Sequence, residues 1–228
     1  SYDKEAGIAR YSAAVEKPSY TYATGSSAVS LTVSFSLDMS TMPKSPFTDV
    51  VAGSWYFDAA LYASSHNLML GTSPTEFSPN ITMTRGMLVT VLYRMNGSPS
   101  VSGKTPFTDV RTDEWYSAAV LWAYQNGIVT GMSDTTFAPI NNVTREQMAT
   151  ILFRYTKTAA PDKAKASADL SGFADAGSVN DWAVDAMRWA VGQKLIAGIT
   201  LGQSVYLQPR GNATRAQAAT VLTRYYAQ

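Results

Sequence analysis

The sequence contains no cysteine and a single histidine, His66. The absence of cysteine excludes a disulfide framework, a cysteine metal site and a thiol nucleophile. A histidine metal cluster or a Ser-His-Asp triad would have to be built around His66 alone, and an exposed helix position explains that residue more simply. The sequence therefore lacks the cysteine and histidine residues that the common catalytic mechanisms use, and we expect no cofactor, no metal and no catalytic residue.

Charge is also sparse, at 15% of residues, and Lys plus Arg (18) nearly balances Asp plus Glu (17). This balance argues against a nucleic-acid binder or a polybasic membrane protein, both of which need a large positive field. No apolar run approaches the roughly 18 residues that a membrane-spanning helix requires. The chain opens without Met and without a signal peptide, so we expect a processed or excised part of a longer protein.

What the sequence does contain is an internal repeat. The segment Pro-Phe-Thr-Asp-Val occurs at 46–50 and again at 106–110, and Phe173-Ala174-Asp175 begins a looser third copy. In every copy a Trp precedes a Gly by 16 residues, and a Pro precedes an Arg by 6 residues. The loop between that Gly and Pro is three residues longer in the third copy. Two spacings that coincide in all three copies identify tandem repeats.

Each repeat is predicted to be a helix, a loop and a second helix. In the second copy, Trp115, Ala119, Trp122, Ala123 and Ile128 follow the spacing of one helix face, so that the Trp would open the first helix. The loop ends in a short extended piece whose Phe (Phe77 and Phe137) should enter the core.

Thr-x-x-Gln at 144–147 and at 214–217 forms a capping box at the start of the second helix. The first copy carries Gly86 and Met87 instead, so we expect its helix start to be weaker by roughly 1 kcal/mol.

We place the repeats at 46–96, 106–156 and 172–226 (repeats 1, 2 and 3), joined by linkers of loop composition at 97–104 and 157–172. A helix pair of this length cannot bury its apolar face alone, so the copies should pack into one body. Periodicity leaves open whether that body is an open stack or a closed threefold. Residues 1–45 stand apart as an N-terminal β-type segment with a candidate hairpin: Ser19–Thr24 and an alternating strand at 29–37. We favour the end of an upstream domain for it.

Four kinds of residue recur in the repeats and are candidate ligand-binding groups: arginines, tryptophans, aspartates and glycines. The arginine lies at the first position of the second helix, where an anion is favoured, but it could equally pair with the aspartate. The tryptophan most simply packs in the core, or alternatively stacks on a sugar. The aspartate could accept sugar hydroxyls, pair with Arg or cap a helix. The glycine could admit a ligand or end a helix. The candidates are Arg85, Arg145, Arg215, Trp55, Trp115, Trp182, Asp49, Asp109, Asp175, Gly71, Gly131 and Gly198. The arginines that close the repeats (Arg94, Arg154 and Arg224) are read as structural, capping the last carbonyls of their helices.

The ordered series Phe-x-Asp-Val, Trp, Gly-Ile-Val-x-Gly, Phe-x-Pro, Thr-Arg and Leu-x-Arg resembles the S-layer homology (SLH) repeat over roughly residues 46–226. The resemblance implies a mainly α pseudo-threefold assembly that anchors a surface protein to the wall of a Gram-positive-type bacterium, outside the cell. The implied partner is a pyruvylated secondary cell-wall polysaccharide, bound through an N-acetylmannosamine unit in grooves between adjacent repeats. The implied groove residues are the twelve candidates above. All three copies lack the family's Glu in Thr-Arg-Ala-Glu. We expect Arg145 to line the best-formed groove.

A second hypothesis is a structural or protein-interaction module that self-associates through the strand at 29–37. A third is an enzyme such as a wall hydrolase, which needs a particular pair of carboxylates. The aspartates recur with the scaffold and form no unique pair, so the sequence argues against an enzyme.

Overall fold

The computed structural model describes residues 44–165 and 167–227, together with the backbone of two short strands at the N-terminus. The predicted hairpin at 19–37 lies outside the described residues. In chain order the elements are β1 (Tyr2–Asp3), β2 (Ile8–Ala9), α1 (Phe57–Ser65), α2 (Arg85–Met95), α3 (Ser117–Gln125), α4 (Arg145–Ala159), α5 (Val184–Gly192), β3 (Ile199–Leu201), β4 (Ser204–Tyr206) and α6 (Arg215–Tyr226). Short 3₁₀ turns cover Pro161–Lys165, Ala176–Ser178 and Asp181–Ala183. The fold is mainly helical, as predicted.

The second helix of each repeat begins where the sequence places it. Thr84, Thr144 and Thr214 are the N-caps of α2, α4 and α6, and each hydroxyl accepts a backbone N–H three residues on. The reciprocal glutamine bond is present in α4 and α6, as expected. In α2 the third helical position is Met87, so only the threonine half of the cap forms.

Three repeats close into a ring around a pseudo-threefold axis. At the axis the Met83 N–H donates to the Ala213 carbonyl, the Val143 N–H to Met83, and the Ala213 N–H to Val143. These three side chains are fully buried. The second helix of each repeat packs against the first helix of the next, so α2 meets α3, α4 meets α5 and α6 meets α1. This arrangement decides for the closed threefold over an open stack.

The core is built from the repeat's apolar positions. Phe77 and Phe137 are fully buried, and Leu207 takes their place in repeat 3. Aromatic pairs fill two of the helix contacts between repeats: Tyr93 lies 5.6 Å from Trp122, and Phe153 lies 5.2 Å from Trp189, between ring centroids.

Two segments read as loops have regular structure instead. The linker predicted at 157–172 begins inside α4, which continues to Ala159, and then forms the 3₁₀ turn. The carbonyl of Lys163 in that turn accepts from the indole N–H of Trp189 at 2.9 Å, which explains why the turn is held in place. The longer loop of repeat 3 forms the β3–β4 hairpin, with Ile199 opposite Tyr206 and Gly202 in the turn at a φ of +62°.

Candidate functional site

The arginines at the first position of the second helices join neighbouring repeats. Arg85, Arg145 and Arg215 are each only 5% exposed. Their Nε–H groups donate to the carbonyls of Phe137 (2.9 Å), Leu207 (2.7 Å) and Phe77 (2.9 Å), each in the following repeat. The alternative of an ion pair with the aspartate is not what forms, because the described residues contain ion pairs only at Arg111–Asp113 and Lys165–Asp162.

Burial lowers the pKa of all three arginines, and the charge of a nearby aspartate partly opposes this. The Arg85 guanidinium also lies over the Phe137 ring at 4.6 Å, and that of Arg215 over Phe77 at 4.9 Å. The three arginine side chains therefore join neighbouring repeats and stabilise the closed ring of repeats.

The aspartates of the Phe-x-Asp segments hold the loops. The two carboxylate oxygens of Asp109 accept from the Phe137 and Ala138 N–H groups at 2.9 and 2.7 Å. Asp49 and Asp175 make the same pair of bonds in their own repeats. The second residue of each pair has a positive φ (Ala138 at +58°), which the carboxylate stabilises. The helix-cap alternative for these aspartates is therefore wrong.

The recurring glycines are required by close packing in the loop. A Cβ on Gly131 would lie 2.0 Å from the Ser133 carbonyl oxygen and 2.6 Å from the Phe107 ring. A Cβ on Gly71 would lie 2.5 Å from the Ser73 carbonyl oxygen, and one on Gly198, which also has a φ of +79°, would lie 2.6 Å from the Val205 side chain. Helix termination does not explain them, because α1, α3 and α5 end earlier, before residues of positive φ at Asn67, Gly127 and Lys194.

The tryptophans are exposed, contrary to the core position that the spacing favoured. Trp55, Trp115 and Trp182 are 66%, 58% and 54% exposed. Trp55 and Trp115 precede α1 and α3 by two residues, and Trp182 lies in the 3₁₀ turn before α5. The other four members of the face predicted for repeat 2 are buried. The alternative hypothesis, an aromatic platform, matches this exposure.

A cavity of about 310 Å³ brings several of these groups together. All three repeats contribute: Arg85 comes from repeat 1, Trp182 from repeat 3, and the remaining residues from the loop and the second helix of repeat 2. The lining residues are Arg85, Val129, Thr130, Gly131, Met132, Gln147, Thr150, Ile151, Arg154 and Trp182. We call this space the 2/3 groove. Arg145, expected to line the best-formed groove, is not among its lining residues.

The 2/3 groove is positively charged. It is lined by two arginines and no carboxylate, and the charge of Arg154 adds to the burial that lowers the pKa of Arg85. The Arg154 Nη1 donates to the Thr130 hydroxyl at 3.4 Å, a long bond that leaves other guanidinium donors available. The Gln147 carbonyl accepts from the Thr144 N–H at 3.1 Å, while its amide nitrogen has no partner among the described residues. These donors suit an anionic or hydroxyl-rich ligand.

Sequence reasoning missed Arg154, which it read as a helix cap. Its recurrence was plain, because Arg94, Arg154 and Arg224 each follow the Thr-Arg arginine by nine residues, but the sequence alone does not show that its side chain lines a cavity. Arg224 does bind carbonyls, but those of Lys194 and Leu195 after α5 rather than its own helix end.

The matching positions in the other two repeats differ from the 2/3 groove. Thr130 corresponds to Leu70 in repeat 1 and to Ala197 in repeat 3, and Gln147 corresponds to Met87 and Gln217. Repeat 1 therefore has two apolar side chains where repeat 2 has polar ones. His66 does not line the 2/3 groove; it is exposed at the end of α1, with its Nδ1 3.0 Å from the Tyr62 carbonyl oxygen.

The part of the chain that the structure describes contains no cluster of His, Asp and Glu able to hold a metal ion. No helix in that part has the length and apolar character needed to cross a membrane.

A closed ring of three helix-loop-helix repeats with a groove between repeats 2 and 3 defines the class of tandem-repeat modules. The family model for the S-layer homology domain matches three segments, 46–86, 106–149 and 172–219. The chain belongs to the S-layer homology domain family. Such domains occur in cell-surface and S-layer proteins, where they are non-catalytic modules that bind cell-wall polymers and anchor the protein to the wall.

Relatives of two kinds share this region. The chain is 34% identical to an endoglucanase of Bacillus sp. (strain KSM-635) over 178 residues, which are 78% of this chain and 18% of that protein. It is 29% identical to an amylopullulanase of Thermoanaerobacterium thermosulfurigenes over 77% of this chain and 9% of that protein. It is 32% identical to a surface-layer 125 kDa protein of Lysinibacillus sphaericus over 68% of this chain and 12% of that protein. The chain thus spans less than a fifth of the length of these relatives.

Proposed function

We propose that this chain anchors a surface protein to the cell wall by binding a pyruvylated secondary cell-wall polysaccharide in its inter-repeat grooves. The observation that carries the proposal is the 2/3 groove, where Arg154 and Trp182 line one cavity with no carboxylate among its lining residues. A pyruvyl ketal adds one carboxylate to a neutral sugar, so its recognition needs a local cation beside a stacking surface and no broadly basic surface.

In this proposal each group has a separate role. Arg154 donates to the pyruvyl carboxylate, and Arg85 adds positive charge from the floor of the cavity while it continues to hold the Phe137 carbonyl. The exposed indole of Trp182 stacks on the apolar face of the sugar ring. Gly131 leaves room for the ligand to approach the loop backbone, and the Gln147 amide nitrogen donates to a ligand oxygen.

The polymer would be bound at several of its sugar units by more than one groove of the ring. Arg145, Arg215, Trp55, Trp115 and the matching glycines give the other two grooves a similar plan, so one polymer chain with many pyruvylated units could occupy more than one groove. Several weak contacts on one polymer raise the overall affinity through effective concentration. A near-neutral protein is therefore compatible with an anionic polymer.

We also propose that the anchored protein is larger than this chain and lies outside the cell of a Gram-positive-type bacterium. The support is that the matches cover 9–18% of relatives that are either glycan-degrading enzymes or surface-layer proteins by name. Any catalytic activity of the parent protein would lie outside the repeats.

Co-sedimentation with purified cell walls tests the proposal. We expect the chain to sediment with walls that carry pyruvylated polymer, and to remain in solution when the pyruvyl groups have been removed by mild acid. Trp182→Ala should weaken sedimentation while its melting temperature stays close to that of the wild type, because this side chain is mostly exposed. Equal binding to both wall preparations would exclude the pyruvate-specific function.

A further inference from the structure

A buried carboxylate in repeat 2 lies beside the candidate groove. Glu146, the second residue of α4, is only 2% exposed. Its two oxygens accept from one residue of repeat 3: Oε2 from the Asn180 backbone N–H at 3.0 Å, and Oε1 from the Asn180 side-chain Nδ2 at 2.5 Å. No cation pairs with Glu146 among the described residues. Because buried polar atoms need hydrogen-bond partners, these two bonds to Asn180 are what satisfy both side-chain oxygens of Glu146.

Asn180 begins the 3₁₀ turn Asp181–Ala183 that carries Trp182. Its side chain does not cap this turn; it is directed to Glu146, while its Oδ1 accepts from Arg210 at 3.3 Å. Ala183, on the other side of Trp182, is fully buried. The short segment around Trp182 is therefore fixed to the start of α4, the helix that also carries Arg154.

The other two junctions between repeats lack this link. Gly86 and Ala216 occupy the position of Glu146, and Gly53 and Asp113 occupy that of Asn180. At the first junction a Cβ on Gly86 would lie 2.9 Å from the Pro139 carbonyl oxygen and 3.4 Å from the Tyr116 ring, and the glycine has no side chain that could make such a link. A carboxylate that holds the tryptophan turn is thus confined to the junction with the 2/3 groove.

We infer that Glu146 is a positioning residue, which holds the Trp182 indole in place relative to Arg154 and makes the 2/3 groove the strongest of the three binding sites. The inference about affinity rests on the proposed function; the inference about Trp182 position does not. Fixing the aromatic platform before the ligand arrives reduces the entropy lost on binding. The two grooves without the link bind the same ligand more weakly.

Fluorine NMR of the chain labelled with 5-fluorotryptophan tests the positioning directly. Tryptophan-to-phenylalanine variants assign the resonances. In Glu146→Ala we expect the Trp182 resonance to shift and broaden, while those of Trp55 and Trp115 stay in place. Glu146→Gln should largely restore the wild-type signal, because its carbonyl oxygen can still accept from the Asn180 N–H. Glu76→Ala, which removes an exposed carboxylate of repeat 1, is the matched control and should leave the Trp182 resonance unchanged.

Titration with the methyl glycoside of pyruvylated N-acetylmannosamine then measures the effect on binding. Glu146→Ala should lower the affinity of the strongest site by up to about tenfold, the range of an aromatic stacking contact. Should this variant fail to fold, Asn180→Ala removes only the side-chain half of the link and should give a smaller change in the same direction.

An unmoved Trp182 resonance in a folded Glu146→Ala chain would overturn the positioning role. A moved resonance with unchanged affinity would overturn its part in binding. Failure of the wild-type chain to bind the glycoside would count against the proposed function instead, and the fluorine spectra would still decide the role of Glu146.

Discussion

Arg85 and Arg154 come from consecutive repeats and line the same cavity, and the positive charge of Arg154 lowers the pKa of Arg85. Two like charges beside one cavity oppose each other until an anion lies between or beside them. For the counterparts Arg145 and Arg215, burial lowers the pKa without a contribution from a second arginine. This difference separates the 2/3 groove from the corresponding positions of the other two repeats.

Arg154→Ala should weaken binding without unfolding the protein. Loss of a hydrogen bond from a charged donor corresponds to about 1.5–3 kcal/mol, or about tenfold to a hundredfold in dissociation constant, measured by calorimetric titration with the pyruvylated glycoside. Arg154→Lys should recover only part of the affinity, because it keeps the charge but loses the forked donor geometry.

Arg94→Ala is the matched control for Arg154, since it removes the same position of repeat 1. The Arg94 side chain is exposed and makes no hydrogen bond or ion pair with the described residues, while its backbone carbonyl accepts from the Gly97 N–H. We expect the affinity of the strongest site to stay unchanged. An equal loss of affinity in both variants would show that the grooves are equivalent.

Arg145→Ala should destabilise the ring. Its Nε–H group donates to the Leu207 carbonyl at 2.7 Å between repeats 2 and 3, and the side chain is buried. Removal leaves that carbonyl without its donor and opens a space, so we expect the free energy of unfolding to fall by about 2–3 kcal/mol in urea titrations. Arg111→Ala, which removes an exposed arginine paired with Asp113, should leave the urea midpoint close to that of the wild type.

Gly131→Ala should disturb the groove loop. The added Cβ would meet the Ser133 and Thr136 carbonyl oxygens and the Phe107 ring, all closer than 3.0 Å. We expect a loss of about 1–3 kcal/mol in thermal or chemical unfolding, the range found for overpacked sites. Gly172→Ala is the control, because nothing lies within 4 Å of its added Cβ. Similar melting temperatures for the two variants would refute the packing requirement.

Alkaline pH should destabilise the ring through two buried tyrosines. Burial raises the pKa of Tyr155 and of Tyr225 above the ordinary value of 10.0, and the two rings lie 6.0 Å apart. Because the folded-state pKa is the higher one, the unfolded chain loses these protons first. The stability contribution is therefore fully present below about pH 10 and is lost as the pH rises through the folded-state pKa.

Absorbance at 295 nm during an alkaline titration measures this ionisation, and urea unfolding at each pH measures the stability. Tyr155→Phe should flatten the loss of stability with rising pH, since one of the two groups no longer ionises. A tyrosine titration that is the same in the folded chain and in urea would contradict the prediction.

Local signals allowed much of the fold to be predicted. The threonine caps set the starts of α2, α4 and α6 because a hydroxyl can satisfy a free helical N–H from within four residues. The buried Phe77 and Phe137 followed from an apolar residue placed between two turns. Ring closure needed more than periodicity, since the contact between α6 and α1 that distinguishes a closed threefold from an open stack leaves no mark on the repeat spacing.

The site was harder to predict because its members come from three repeats. Nothing near Arg85 in the sequence indicates that its guanidinium reaches Phe137, 52 residues away, in preference to a ligand or its own aspartate. Trp115 shares the helical spacing of buried residues, but the helix begins after it, so its side chain stays exposed. Arg154 was missed because a cation near a helix C-terminus already has a structural explanation.

The three backbone hydrogen bonds among Met83, Val143 and Ala213 determine at what stage of synthesis the ring of repeats can form. Each vertex needs a partner from another repeat, and Arg215 of the last repeat donates to Leu70 of the first, 145 residues earlier. The ribosome synthesises repeat 1 before repeat 3. Until repeat 3 is complete, the backbone groups of Met83 and Val143 that bond to Ala213 have no partner. We therefore expect the closed ring, and any binding that needs it, to form only once the final helix has left the ribosome, and a chain that ends before α6 to lack the contacts that close the ring.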